Sequence, residues 1–202
     1  ATLLLLQERI PRVSASYAHL VEVTGMQSGG AEAQMPIRVI DRVDTPTPEV
    51  QLLSNGRYHV LVTHAGGGGS RWQDLAVTRW REDGTRDPWG SFCYLRDLPS
   101  GAIWSTAHQP VQRRAEHYEA IFSEGRAEYR RRDRGEDFDF ETHTEIAVSP
   151  EDDIELRRVR ITNLSGERRT VELTSYAEVV LSLPAADAQH PAFGNLFVQT
   201  EF

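Results

Sequence analysis

Phe138-Asp139-Phe140-Glu141-Thr142-His143-Thr144-Glu145-Ile146-Ala147-Val148 is the stretch that decides the fold class. Its residues change character at every step. Phe138, Phe140, Thr142, Thr144, Ile146 and Val148 fall on one side of an extended chain, while Asp139, Glu141, His143 and Glu145 fall on the other. Successive side chains of a strand point to opposite faces of a sheet, so the first set is expected in the core and the second in solvent.

The same reading extends in both directions. Before this strand, Arg130-Arg131-Arg132-Asp133-Arg134-Gly135-Glu136-Asp137 mixes charges of both signs beside a glycine and reads as a solvated hairpin turn. After it, Ile154 and Leu156 are in phase, as are Val159 and Ile161, and a β-bulge at Arg157-Arg158 would bring both pairs to the core side. Asn163 to Glu167 is a loop, and the run from Thr170 to Ser182 is expected to close a hairpin, with Val171, Leu173, Ala177, Val179 and Leu181 in one phase. Arg57 to His64 follows the turn signal Asn55-Gly56 and is rich in β-branched and aromatic residues. Shorter strands are expected at Phe92 to Arg96, Ile103 to Thr106, Tyr118 to Ser123 and Ala127 to Arg131, and Pro184 to Asn195 reads as irregular or a short helix. Turn signals every ten or so residues have the rhythm of an all-β sandwich. Thr45-Pro46-Thr47-Pro48 favours a semi-rigid connection, which divides the chain into an arm over 1–45 and a sandwich over 46–202. Within the arm, Leu3 to Leu6 reads as a buried strand or a first helical turn, and Gln27 to Ala31 as a loose loop.

Composition narrows the partners. A net charge of -8 over 202 residues argues against nucleic acid, whose binders carry a basic excess, and suits a neutral ligand such as a sugar. The single cysteine, Cys93, can close no internal disulfide and has no cysteine partner for a metal. No run approaches the ~20 apolar residues that cross a bilayer, so the fragment is expected to be soluble. The bare ends, Ala1 and Phe202, suggest a piece of something longer.

Chemistry concentrates between Ala65 and Trp89. Ala65-Gly66-Gly67-Gly68-Gly69-Ser70 lacks the Lys and the following helix of a phosphate loop, so close packing of backbone is the expected use of its glycines. The next residues place three tryptophans beside arginines and acids: Arg71, Trp72, Asp74, then Arg79, Trp80, Arg81, then Arg86, Asp87, Trp89. An exposed indole stacks on the C–H face of a sugar ring while Arg and Asp bind its hydroxyls. These nine residues are therefore the candidate carbohydrate site, against the plainer reading of tryptophans in the core with arginines stacked on them. No catalytic residue is assigned. Acids such as Asp74, Asp83, Asp87, Glu116, Asp139 and Glu141 are plentiful, but none stands out as the pair that glycoside hydrolysis needs, and most fall on polar strand phases or in turns. No cofactor is expected, and no metal site either, because His59 and His64 stand an odd number of residues apart and His143 lies on the solvent phase.

Several strings, taken in order, resemble a known family. Leu52-Leu53-Ser54-Asn55-Gly56-Arg57-Tyr58, the Ala65 to Ser70 turn, Asp74 to Asp83, Trp104-Ser105-Thr106-Ala107-His108-Gln109-Pro110, Val159 to Asn163 and Leu173 to Glu178 are similar to the N-terminal β-supersandwich of glycoside hydrolase family 94. Shorter versions resemble its cellobiose and chitobiose phosphorylases. The fuller ones, with Leu3 to Arg9 and His190 to Phe193, resemble the branch that makes cyclic β-1,2-glucan. The resemblance implies an all-β, two-layer antiparallel supersandwich, galactose-mutarotase-like, with a short irregular or helical N-terminal arm. It also implies a large bacterial inner-membrane enzyme that builds β-1,2-glucan from UDP-glucose and trims it by phosphorolysis. An adjacent (α/α)6 barrel would carry the catalytic acid, and this fragment would be non-catalytic. Expected partners are a β-glucan or other oligosaccharide, that barrel, and a second copy in a homodimer. The rival readings are an independent carbohydrate-binding module and a purely structural or dimerisation spacer.

Overall fold

The computed structural model describes residues 36–83 and 86–201, and the readings made on Leu3 to Arg9 and Gln27 to Ala31 lie outside them. The described residues form an antiparallel β structure. Its strands are β1 (Arg38–Ile40), β2 (Val50–Ser54), β3 (Tyr58–Thr63), β4 (Gly68–Trp72), β5 (Leu75–Thr78), β6 (Ser91–Asp97), β7 (Ile103–Ser105), β8 (His117–Ser123), β9 (Arg126–Arg134), β10 (Asp139–Val148), β11 (Glu155–Asn163), β12 (Val171–Ala177) and β13 (Val179–Ser182). Two short helices, α1 (Pro184–Gln189) and α2 (Pro191–Gly194), and a 3-10 turn follow. One five-stranded sheet runs β1-β8-β9-β10-β11, a second runs β13-β5-β4-β3-β2, and a three-stranded sheet runs β12-β6-β7. The sheet pairing takes in Arg38–Ile40, on the arm side of the division expected at residue 45.

The first sheet is the common wall of two apolar clusters. Tyr118, Ala120, Phe122, Ala127, Tyr129 and Ile146 pack against Leu53, Val60 and Val62 of the second sheet. Phe138 and Phe140 pack against Leu95 and Trp104 of the third, with Trp104 stacked on both rings at centroid distances of 5.9 and 5.4 Å. Burying each such side chain contributes roughly 1.5–3 kcal/mol. The tyrosine hydroxyls find partners in the core. Tyr118 donates to the His64 carbonyl and Tyr129 to the Thr63 carbonyl, each at 2.6 Å, which fastens the end of β3 to the opposite sheet.

The alternation of Phe138 to Val148 holds: Phe138, Phe140, Thr142, Thr144 and Ile146 are buried. Five neighbouring expectations need correction. The charged run Arg130 to Asp137 is mostly strand, with only its end turning at Gly135. Within it, Arg131 and Asp133 form a fully buried ion pair, and Arg131 also donates to the carbonyls of Ala107 and Arg113, so the charges are satisfied inside rather than solvated. His143 is half-buried, with its ring nitrogen 2.9 Å from the Glu128 carboxylate.

β11 has no bulge. It pairs with β10 in unbroken register from Val148↔Glu155 to Phe140↔Asn163. Its core side therefore carries Glu155 and Arg157, which pair with each other and reach the Ser70 hydroxyl and the Ser91 carbonyl, while Leu156 faces out. Nor do β11 and β12 form a hairpin. β12 crosses to pair with β6, and the turn before it is held by Arg169, which donates to the buried Asp97 carboxylate at the end of β6. The expected apolar phase of this segment fails with it. Leu173, Val179 and Leu181 are exposed and Val180 is buried; the strand breaks at Glu178 and Leu181 takes a left-handed backbone, which shifts the phase of β13. Cys93, half-buried, lies opposite Ser175 across the β6–β12 pairing.

Candidate functional site

The glycine-rich turn explains the shape of the second sheet. A Cβ on Gly66 would collide with Ala107, on Gly67 with the Asp87 carboxylate and on Gly68 with the Leu61 carbonyl, and on Gly69 it would come 2.6 Å from the Trp80 Cβ. Gly66 and Gly68 also have positive φ. These glycines serve close approach, as their sequence suggests.

Because Gly69 has no side chain, Trp80 settles on the outer face of this sheet. Strand register places Leu52, Leu61 and Gly69 in one outward row and Ser54, His59, Arg71 and Ala76 in the next. A groove of about 790 Å³ lies over these rows. Its floor is Leu52, Leu61, Gly69 and Ala76, its polar groups come from His59, Arg71, Gln73, Arg81 and Glu82, and α1 closes one side through Pro184, Asp187 and Ala188. Trp80, 42% exposed as a residue, is the aromatic wall.

The polar groups around it are held. The His59 ring nitrogen is 2.7 Å from the Ser54 hydroxyl, and Arg71 donates to the Gln73 carbonyl at 2.9 Å and to Asp74 at 3.3 Å. Arg79 lies underneath, its side chain 10% exposed, and grips Asp187 at 2.7 Å and Glu178 at 2.5 Å. The Arg79 hydrogen bond, outweighing burial, holds the Asp187 carboxyl below the usual range. Arg81 adds a longer contact to Asp187, 3.6 Å, and lies over the Trp89 ring at 5.6 Å.

Of the nine residues singled out from sequence, Arg71, Trp80 and Arg81 come together in the groove. Asp74 is exposed at its margin, and Arg79 supports it from below. Trp89 is half-buried behind Arg81, and its carbonyl accepts from Gly68 at 2.7 Å. Trp72 points elsewhere: its indole N–H donates to Asp153 at 2.6 Å, in a clasp that Arg57 and Asn55 complete. Asp87 accepts from the Thr63 hydroxyl beside the glycine turn, and burial pushes its carboxyl above the ordinary value. Arg86 lines the same separate cleft as Asp87, with His64 and Gln109. His59 and Gln73 were missed as groove residues. The parity of β3 against β4, which sets His59 opposite Arg71, is the signal that finds the first of them.

Glu128, His143 and Glu145 bring possible ligand atoms within 4.8 Å of one another on the outer face of the first sheet. Arg126 and Arg130 hold Glu128, and Arg126 and Arg158 hold Glu145. With three arginines on two carboxylates, this is an ion-pair network that a divalent cation would have to dismantle.

Comparison with known proteins places the chain. Residues 33–202 match the family described as Glycosyl hydrolase 94, supersandwich domain. The chain is 37% identical over 199 residues to the cyclic beta-(1,2)-glucan synthase NdvB of Rhizobium meliloti, covering 98% of this chain and 7% of that protein. It is 29% identical to the N,N'-diacetylchitobiose phosphorylase of Vibrio furnissii, over 81% of this chain and 21% of the relative, and 28% identical to that of Vibrio proteolyticus, over 75% and 19%. The sequence thus spans a small part of each relative's length. The match over all the described residues, together with the three antiparallel sheets, means that this chain belongs to the supersandwich domain family of glycosyl hydrolase 94.

Proposed function

We propose that this supersandwich is a non-catalytic domain of a longer glucan-processing protein, and that it meets the glucan through the groove walled by Trp80. One observation carries the reading. An exposed indole stands over a shallow floor beside His59, Arg71, Gln73 and Arg81, which pairs a face for the apolar side of a sugar ring with hydrogen-bonding groups for its hydroxyls. The carboxylates nearest the groove favour the non-catalytic half of the proposal. Asp187 is locked to Arg79 and Asp74 is turned to Arg71, which leaves Glu82 as the groove's remaining carboxylate, without the second one that glycoside hydrolysis uses.

The test is a titration of the chain with linear and cyclic β-1,2-glucans, followed by tryptophan fluorescence, with cellulose oligomers as control. A saturable response that Trp80→Ala abolishes and Trp72→Phe preserves is the expected result. No response at millimolar glucan overturns the groove as a glucan contact.

The exposed apolar residues at the end of the described chain favour a second contact. Leu181, Leu183, Phe193, Leu196 and Phe197 are all more than half exposed, and Phe193 and Phe197 pack edge to face at 5.2 Å. So large an apolar surface suits another domain of the longer protein, in line with the helical barrel that the family resemblance implies.

A further inference from the structure

We infer that the open edge of β11 is built to accept an acidic strand and to refuse a second copy of itself. β11 is nine residues long, unbulged, and last in its sheet, so one side of its backbone has no strand partner among the described residues. The other outer strands of the two five-stranded sheets are closed or short. β1 has three residues and β13 four with irregular pairing, and on β2 the Arg38 guanidinium already occupies the Val50 carbonyl at 2.8 Å. A long, regular edge is a template for pairing, and proteins guard such edges with charge.

The guard on β11 is specific in its spacing. Arg158 and Arg160 face outward; Arg158 is ion-paired to Glu145 of β10, and Arg160 lies opposite His143. When two copies pair antiparallel with their cores on the same side, directly opposite residues share a face. The register that overlaps the whole strand is centred on Val159 and sets Arg158 against Arg160 twice. Registers centred on Arg157, Arg158 or Arg160 set that arginine against itself. Like charges directly opposite destabilise a pair, whereas acids two residues apart on an incoming strand would meet Arg160 directly and share Arg158 with Glu145. Leu156, 57% exposed on the same face, would gain apolar cover from such a strand.

The chain itself supplies the probe. In an Arg158→Glu/Arg160→Glu copy the like-charge clash persists with reversed sign, so that variant should stay as monomeric as the parent. Mixed with the parent, it meets Glu against Arg at both positions, and the two should form a heterodimer about 30-fold tighter than either self-pair. The complex should weaken with added salt, and its β11 amides should gain protection from hydrogen exchange. Arg160→Glu alone restores complementarity within one sequence and should homodimerise, which keeps the test available if the double variant does not fold. A mixture that sediments as monomers overturns the inference. So does a parent chain that dimerises through β11, or an Arg160→Glu dimer whose β11 amides gain no protection.

Discussion

Gly69 and Trp80 fix each other's position, and the consequence is measurable. A methyl group at residue 69 comes within 2.6 Å of the Trp80 Cβ, so Gly69→Ala must push the indole off its berth. The expected cost is about 1–3 kcal/mol in urea denaturation, with loss of the glucan-dependent fluorescence change. Trp72 behaves differently, because its indole belongs to a clasp. The Trp72 hydrogen bond, with Arg57 and Asn55, holds the Asp153 carboxyl below its ordinary value. The stabilisation is therefore complete above the unfolded carboxylate value of about 3.9 and disappears as pH falls through the lower folded value. Asp87 has the opposite sign. Burial raises its carboxyl, so the folded state takes up a proton before the unfolded chain does, and a penalty present at neutral pH is relieved on acidification. Asp153→Asn should lower the unfolding midpoint at pH 7 and matter little near pH 2. Asp87→Asn should help more at pH 7 than at pH 4. Midpoints measured for both variants across that range check the two signs together.

At the scale of strands, the buried charges of β9 deserve the same treatment as its apolar residues. Arg131→Met would leave Asp133 buried without its main partner, at an expected cost of about 3–5 kcal/mol, and Arg131→Met/Asp133→Leu should recover most of it. A double-mutant cycle in denaturant measures this. Thr144 offers a contrast, since its buried hydroxyl has no hydrogen-bond partner. Thr144→Val should range from neutral to about 1 kcal/mol stabilising. These two sites also show why some strands were legible and others were not. β10 announces itself because its inward side is apolar or Thr at every second position. β11 misleads because its inward side opens with Glu155 and Arg157, an ion pair that looks solvent-facing in sequence and prompts a bulge that the register lacks. The path of β12 to β6 is a choice between distant strands, and nothing local in Asn163 to Glu167 announces it.

For the whole molecule, the sandwich was legible and the grouping of the site only in part. Arg71, Trp80 and Arg81 converge because β4, β5 and the segment after β5 share the outer face of one sheet, whereas Trp72 and Asp87 leave it by strand parity and by the glycine turn. The single cysteine turns this topology into something that can be timed. Cys93 sits half-buried where β6 meets β12, and burial raises its thiol above the ordinary value. It should alkylate slowly while β12 stays in place and faster whenever β12 peels away. Labelling kinetics at residue 93 would therefore clock the opening of the three-stranded sheet without any engineered reporter, and Arg169→Ala, which releases the turn before β12, should speed that clock.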